Sequence, residues 1–159
     1  MAIFMKYEGI DGESEVRGKR GFVELTSFTW GLARTMSSVK AGSRGDAEVQ
    51  VNEISVTRTQ DSLSALFVQE AVSGKFDKAV EVHFIRTGPN KKPATFLKVQ
   101  LAQAGISSYS ISGAGESGVP TESMSINFVT VTMDSHKVDD ALSGVPNTAS
   151  FDTSTGAPG

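Results

Sequence analysis

The stretch Phe22-Val-Glu-Leu-Thr-Ser-Phe-Thr-Trp-Gly-Leu32 has the two-residue side-chain period of a β-strand. Phe28 and Trp30 fall on the same face and are its largest apolar pair, so this face is predicted to turn towards a core. Ser27 and Thr29 alternate with them and are therefore expected to point to the opposite face. This run indicates a half-buried strand whose outer side carries small hydroxyls.

Similar apolar alternation continues on both sides of this strand and predicts a largely β protein. The strand patterns cover residues 2–8, 48–59, 80–85, 95–111 and 121–134. In 48–59 the apolar phase slips by one residue at Asn52-Glu53, and in 121–134 it slips after Phe128; each slip predicts a β-bulge. Gly105 interrupts the fourth pattern and predicts a bend.

One segment has a helical period instead. Its apolar side chains recur at i, i+3, i+4 and i+8, which predicts an α-helix over about residues 62–73, with Gly74 just past its end. The fold expected from these patterns is mainly β: a small, bent, antiparallel β-barrel of two sheets with one flanking helix. The barrel domain is predicted over residues 1–134, followed by a flexible or weakly docked C-terminal tail over 135–159, which is rich in small and polar residues.

Composition excludes several classes of protein. The 159 residues suit one domain, and 15 basic against 18 acidic residues give a net charge of −3, which argues against nucleic acid as a partner. The absence of cysteine excludes disulfides and thiol chemistry. No apolar run is long enough for direct membrane insertion, and the N-terminus does not resemble a signal peptide, so a cytoplasmic location is expected.

The sequence predicts no catalytic, cofactor-binding or metal-binding residues. The two histidines, His83 and His136, are unpaired, and no G-x-S-x-G motif is present. The G-x-G-x-x-G pattern that begins at Gly113 leads into a strand pattern, whereas a dinucleotide site requires a helix there. A non-enzymatic protein that acts through its surfaces is therefore expected.

Five ordered segments resemble one family. They are similar to its "D-x-K-G-E-S", "W-x-W-G", "V-x-D/E-L-x-F", "V-S-S-Y-x-x-S-G" and "P-x-E-x-x-x-L-x-F" elements: Gly9-Ile-Asp-Gly-Glu-Ser14, Phe28-Thr-Trp-Gly31, Val51-Asn-Glu-Ile-Ser-Val56, Ile106-Ser-Ser-Tyr-Ser-Ile-Ser-Gly113 and Pro120-Thr-Glu-Ser-Met-Ser-Ile-Asn-Phe128. In this order they resemble the haemolysin-coregulated proteins (Hcp) of the bacterial type VI secretion system. Asp11-Gly12 departs from the usual basic residue before the glycine, and the segment after Ser135 is unfamiliar.

The resemblance implies a phage tail-tube-like barrel that forms a homo-hexameric ring. Such rings stack into a tube, which carries a spike protein at its tip, is expelled by a contractile sheath and can hold effectors in its lumen. It also implies export by this machine from the cytoplasm without a cleaved signal peptide.

Two surfaces are candidates for these roles. The outward face of the strand, with Ser27 and Thr29, is predicted to line the lumen; the alternative is an ordinary solvent-facing strand. The charged, glycine-rich loop 9–21 is predicted to contact the next ring, and the alternative is a mobile loop that contacts nothing. The candidate loop residues are Asp11, Gly12, Glu13, Ser14 and Lys19.

Two other functions stay open from the sequence alone. One is a monomeric β-barrel that binds a small ligand inside, although Phe28, Trp30, Phe84 and Phe128 are large enough to fill a small barrel. The other is a hydrolase that uses His83 with one of the many serines, which no motif supports.

Overall fold

Twelve strands and one helix make up the described chain. A computed structural model describes residues 1–35, 48–87, 92–116, 118–137 and 145–158. The elements are β1 Ala2–Tyr7, β2 Val23–Leu25, β3 Ser27–Thr29, β4 Leu32–Thr35, β5 Glu48–Val51, β6 Ile54–Thr59, α1 Ser64–Ser73, β7 Lys78–Thr87, β8 Pro93–Ser112, β9 Thr121–Asn127, β10 Thr130–Ser135, β11 Asn147–Asp152 and β12 Ala157–Pro158.

Ten strands form two antiparallel arms that share β8. The first arm has the order β12-β11-β10-β8-β7-β1-β2, and the second has the order β3-β6-β9-β8. The chain also steps between the arms at Thr26, whose N–H donates to the Thr57 carbonyl at 2.8 Å. The arms are thus joined on two sides around a common core. The predicted mainly β fold with two sheets and one helix is confirmed, but the described strands do not close into the expected barrel.

The core lies between the two arms and beneath α1. Its innermost side chains are almost all apolar and come from both arms and the helix: Met5, Ile54, Val56, Phe67, Val80, Val82, Val99, Met124 and Ile126. A second, smaller cluster of Phe4, Phe22 and Ile85 lies apart from this core. Because successive side chains alternate across a strand, β1 and β7 contribute to both clusters.

The strand over residues 22–32 keeps its predicted inward face only in part. Phe28 and Trp30 pack against the core, as predicted, but Val23 and Leu25 are buried while Glu24 and Thr26 are exposed. The inward phase therefore changes at Thr26, where the chain leaves β1 and begins to pair with β6. The change of partner requires this shift, which single-strand periodicity cannot show.

The predicted phase slips mark interruptions between strands. At Asn52-Glu53 the chain changes from β5, which pairs with β4, to β6, which pairs with β3 and β9. At Phe128-Val129 it passes from β9 to β10, and both of these strands run along β8. At the predicted bend near Gly105, β8 continues but exchanges β7 and β10 for β9. Gln103 has a left-handed φ of 49° there, which fits a locally irregular strand.

Helix α1 begins two residues later than predicted. The Asp61 side chain accepts a hydrogen bond from the Leu63 N–H at 2.9 Å, which ends the preceding strand in a turn before the helix. The helix ends before Gly74, whose N–H donates a hydrogen bond to the Glu70 carbonyl at 2.9 Å. No described helix is long and apolar enough to cross a membrane.

The C-terminal segment differs from the expected flexible or weakly docked tail wherever the structure describes it. β11 pairs with β10 over six residue pairs from Thr130–Asp152 to Ser135–Asn147, and β12 adds to β11. Phe151 packs against the core. The polar sequence hides this docking because backbone hydrogen bonds, rather than many apolar side chains, attach the strand.

Candidate functional site

Loop 9–21, the predicted ring-stacking loop, is held by backbone hydrogen bonds between its two ends. The Gly12 N–H donates to the Gly21 carbonyl at 2.8 Å, and the Ser14 N–H donates to the Phe22 carbonyl at 3.1 Å. A Cβ atom on Gly12 would lie only 2.1 Å from the Phe22 carbonyl oxygen, so this close approach requires glycine. Gly12 and Ser14 therefore position the loop.

The charged candidates of loop 9–21 separate into two groups. Asp11 and Glu13 are exposed, and the Glu13 carboxylate also accepts a hydrogen bond from the Ser62 hydroxyl just before α1. Lys19 instead turns towards the sheet, with its Nζ atom 2.6 Å from Nδ1 of His83 in β7. The acidic pair is thus available to another molecule, whereas Lys19 is engaged within the chain.

The two candidate lumen residues lie on β3 and differ in exposure. The Ser27 hydroxyl lies 2.5 Å from the Thr57 hydroxyl on β6 and is half-buried, while Thr29 is exposed. Phe28, between them, packs edge-on against Phe84 with ring centroids 5.1 Å apart. Phe28 therefore packs inward, Ser27 and Phe28 are both partly buried, and Thr29 is the more accessible of the two candidate residues.

Sequence reasoning missed a buried ionic network between β6 and β9. Arg58 is 2% exposed and Glu122 is fully buried, with Nη1 and Oε2 2.5 Å apart. Arg58 also pairs with Asp61, and the Tyr109 hydroxyl donates to Oε1 of Glu122 at 2.5 Å. Burial, followed by the hydrogen bond to Glu122 and its charge, raises the pKa of Tyr109 to about 12. The sequence does carry one indication that Arg58 is buried. Arg58 lies on the same inward face of the strand as Ile54 and Val56.

His83 is buried on β7. Its Nδ1 faces Lys19, and its Nε2 lies 3.1 Å from a Glu81 carboxylate oxygen. Burial, then the charge of Lys19, lowers the pKa of His83 despite the opposing effect of Glu81. Both ring nitrogens are thus occupied by charged side chains, and the arrangement does not match the Ser-His-Asp geometry of a hydrolase.

Two other kinds of site, for a metal ion and for a dinucleotide, have little support among the residues that the structure describes. Among these residues, no group of three or more His, Asp or Glu side chains could hold a metal ion. The glycines at 113, 115 and 118 lie between β8 and β9, so no helix follows them. They form the connection of a hairpin, as the strand pattern predicted.

Two surface grooves accompany these candidates. One, of about 410 Å³, lies between loop 9–21 and the end of β6 and is lined by Glu13, Glu24, Arg58 and Asp61 among others. The other, of about 350 Å³, is apolar and lies beside the separate β4–β5 hairpin; Trp30, Leu32, Val49, Met133 and Phe151 line it. The second groove is an apolar surface, which is typical of places where another macromolecule binds.

Comparison with known proteins identifies a family that matches most of the chain. The family model described as "Type VI secretion system effector, Hcp" matches residues 4–134. The structure is similar to one titled "Structure of a type six secretion system protein", with a TM-score of 0.88, 22% identity and 99% of both chains covered. It also resembles Hcp1 from Salmonella typhimurium, with a TM-score of 0.79, 24% identity and coverage of 99% of this chain and 97% of that one.

A third similar structure is a type VI secretion system effector from Yersinia pestis, with a TM-score of 0.74 and 18% identity over 94% of this chain and 98% of that one. No curated protein sequence matches this chain significantly. At these identities the structural likeness establishes the fold, and the family model adds the relationship in sequence.

Proposed function

The chain belongs to the Hcp family of the type VI secretion system, and from this membership we propose that it is a structural tube subunit. Six copies form a ring, and rings stack into the inner tube that the contractile sheath expels. The family match over residues 4–134 is the observation that carries this proposal. The proposed partners are further copies of the chain, a spike protein at the tube tip, the sheath and effectors held in the lumen.

The structure supports an assembling protein through its separate hairpin. Among the described strands, β4 and β5 pair with each other and with no other strand, and Leu32 on β4 is 52% exposed. A lone two-stranded hairpin has marginal stability in water, and its free edges are prone to pair with another chain. A ring with a repeated heterologous interface would cover such surfaces.

The proposal also includes how the protein acts and where it is found. The protein acts without catalysis, and it stays in the cytoplasm until the secretion machine exports it without cleaving a signal peptide. The rival function, a monomeric barrel with an internal ligand, has weaker support because apolar side chains fill the region between the two arms. The tube subunit and the ligand-binding monomer predict different masses in solution.

Native mass spectrometry of the purified protein tests the proposed function. Six copies of the 16.8 kDa chain give a ring of about 101 kDa. A monodisperse species of this mass supports the tube subunit. A stable 16.8 kDa monomer at high concentration would overturn it and favour the ligand-binding barrel.

We expect Thr29 to lie on the lumen wall of the ring. Because the chain has no cysteine, Thr29→Cys introduces a single thiol that a maleimide-gold cluster can label. Thr29 is exposed, so we expect the variant to keep its ring mass and to show gold inside the ring in electron micrographs. Glu116→Cys, on the exposed β8–β9 connection, is the matched control for labelling. Gold from Thr29→Cys on the outer rim would refute the lumen assignment.

We expect the acidic pair of loop 9–21 to support ring stacking. Asp11→Lys together with Glu13→Lys should leave single rings intact but abolish most tube growth, because both charges are exposed and like-charge contacts oppose docking. Electron microscopy and sedimentation measure the tube fraction. Asp77→Lys with Glu116→Lys makes the same change in charge outside the loop and is expected to preserve tubes. Tubes of normal length from the loop variant would contradict this role.

A further inference from the structure

Lys19 closes loop 9–21 over a buried histidine on the outer face of the first arm. His83 lies on β7, directly between Phe4 of β1 and Lys98 of β8 in the strand register. The Phe22 ring packs edge-on against the imidazole with centroids 5.1 Å apart, and Lys19 Nζ lies 5.0 Å from the centre of the same ring. His83 and Phe22 thus form the surface on which the Lys19 end of the loop rests.

The hydrogen bonds at His83 require a neutral imidazole. A lysine ammonium can only donate, so Nδ1 of His83, 2.6 Å from Lys19 Nζ, must accept. The ring proton then resides on Nε2, which donates to Oε2 of Glu81 at 3.1 Å. A second ring proton would occupy the nitrogen that receives Lys19.

We propose that the Lys19–His83 contact is a pH-sensitive latch, in which protonation of Nδ1 expels the Lys19 ammonium and frees residues 16–20 from the sheet. The proton comes from solvent and takes the position of the hydrogen bond. It also places two positive charges in contact, since lysine is charged in acid; burial lowers the pKa of Lys19, and the charge of Glu81 opposes this shift. The latch therefore opens in acid.

The charges around the latch favour opening once His83 is protonated. Three ammonium groups face this part of the sheet: Lys19 from the loop, Lys98 from β8 and Lys6 from β1, whose Nζ lies 5.7 Å from the Phe22 ring centre. Glu81 on β7 is the carboxylate in contact with His83, and it is shared with Lys98 at 3.6 Å and Gln100 at 3.2 Å. Glu24 is exposed on β2, beyond Phe4.

The direction of the pH effect follows from the histidine. Its pKa in the folded chain is lowered from the ordinary histidine value of 6.5, chiefly by burial and next by the charge of Lys19. The latch therefore stabilises the loop fully above pH 6.5, and its contribution is lost as the pH falls through the lowered pKa. Opening is local, because the Gly12–Gly21 and Ser14–Phe22 backbone hydrogen bonds do not involve a titrating group.

The latch itself does not depend on the proposed function. A consequence for ring stacking does rest on that function: release of residues 16–20 would loosen the loop that presents Asp11 and Glu13, so acid would weaken stacking.

Spin labelling of the loop tip tests the latch. Arg17 is exposed in the turn that Lys19 closes, and Arg17→Cys gives a single attachment site for a nitroxide. In electron paramagnetic resonance spectra from about pH 8 to about pH 4.5, we expect the restricted component to be replaced by a mobile one, with a midpoint below the ordinary histidine value. Because loop 9–21 is proposed to contact the next ring, the spectra are recorded on single chains or unstacked rings, which keeps this test separate from the test of assembly.

Three further variants, each made in the spin-labelled Arg17→Cys protein, identify the group whose titration releases the loop. Lys19→Met should be mobile at every pH. His83→Gln, whose amide oxygen can still accept from Lys19 but does not titrate, should stay restricted throughout. His136→Gln should respond as the parent does.

Two results would overturn the latch. One is a restricted parental spectrum at a pH where the NMR signals of the His83 ring report full protonation. The other is an unchanged pH response in His83→Gln, which would assign the titration to another group.

Discussion

Arg58→Met is expected to lower the free energy of unfolding by about 3–5 kcal/mol, because it leaves a fully buried Glu122 without its cation. Asp61 loses the same partner. The Tyr109 hydroxyl still donates to Glu122, but one neutral hydrogen bond does not replace the charge. Urea denaturation at a fixed protein concentration measures the loss, since assembly would make the stability depend on concentration.

The double variant Arg58→Met, Glu122→Gln separates charge from packing. It removes the orphaned carboxylate and keeps an acceptor for Tyr109, so it should recover much of the stability lost in the single variant. Lys98→Met is the surface control: its 3.6 Å contact with Glu81 is partly exposed, and its loss should cost no more than about 1 kcal/mol. A loss of that small size in Arg58→Met would show that the buried pair does not stabilise the fold.

This network shows where sequence reasoning succeeds and where it ends. Arg58 follows Ile54 and Val56 at a spacing of two, and Glu122 precedes Met124 and Ile126 in the same way. Alternation alone therefore places both charges on inward faces. Their partnership depends on the register of β6 with β9, which sets Arg58 opposite Glu122. That register is a tertiary property.

The same limit explains the other differences from expectation. The strand over residues 22–32 changes its inward phase at Thr26 because its pairing partner changes from β1 to β6. The local sequence pattern does not indicate which strand is the partner. Lys19 and His83 meet across 64 residues, so the candidate loop could be recognised by its charge and glycines but its contact with β7 could not. Local periodicity predicts elements and faces; the pairing of distant elements decides which polar residues are buried.

Helix α1 is attached to the core mainly through one aromatic side chain, with Ala71 packed beside it and Glu70 accepting a hydrogen bond from Tyr7. Phe67 is the buried residue of the helix, and its ring meets Tyr7 edge-on with centroids 6.1 Å apart and the Arg58 guanidinium at 5.1 Å. The residue before the helix, Leu63, makes no side-chain cap hydrogen bond. A ten-residue helix is too short to be stable alone, so packing through Phe67 must hold it.

Phe67→Ala is therefore expected to destabilise the protein by about 3–5 kcal/mol, through lost burial and the cavity that it leaves. It also removes the aromatic face under Arg58, so its effect should not be additive with Arg58→Met. Urea denaturation gives the free energy, and far-ultraviolet circular dichroism shows whether helicity falls before the strands unfold. Leu66→Ala is the matched control, since Leu66 is 41% exposed on the same helix and its loss should cost less than about 1 kcal/mol. Equal losses in the two variants would mean that the helix is not held by Phe67.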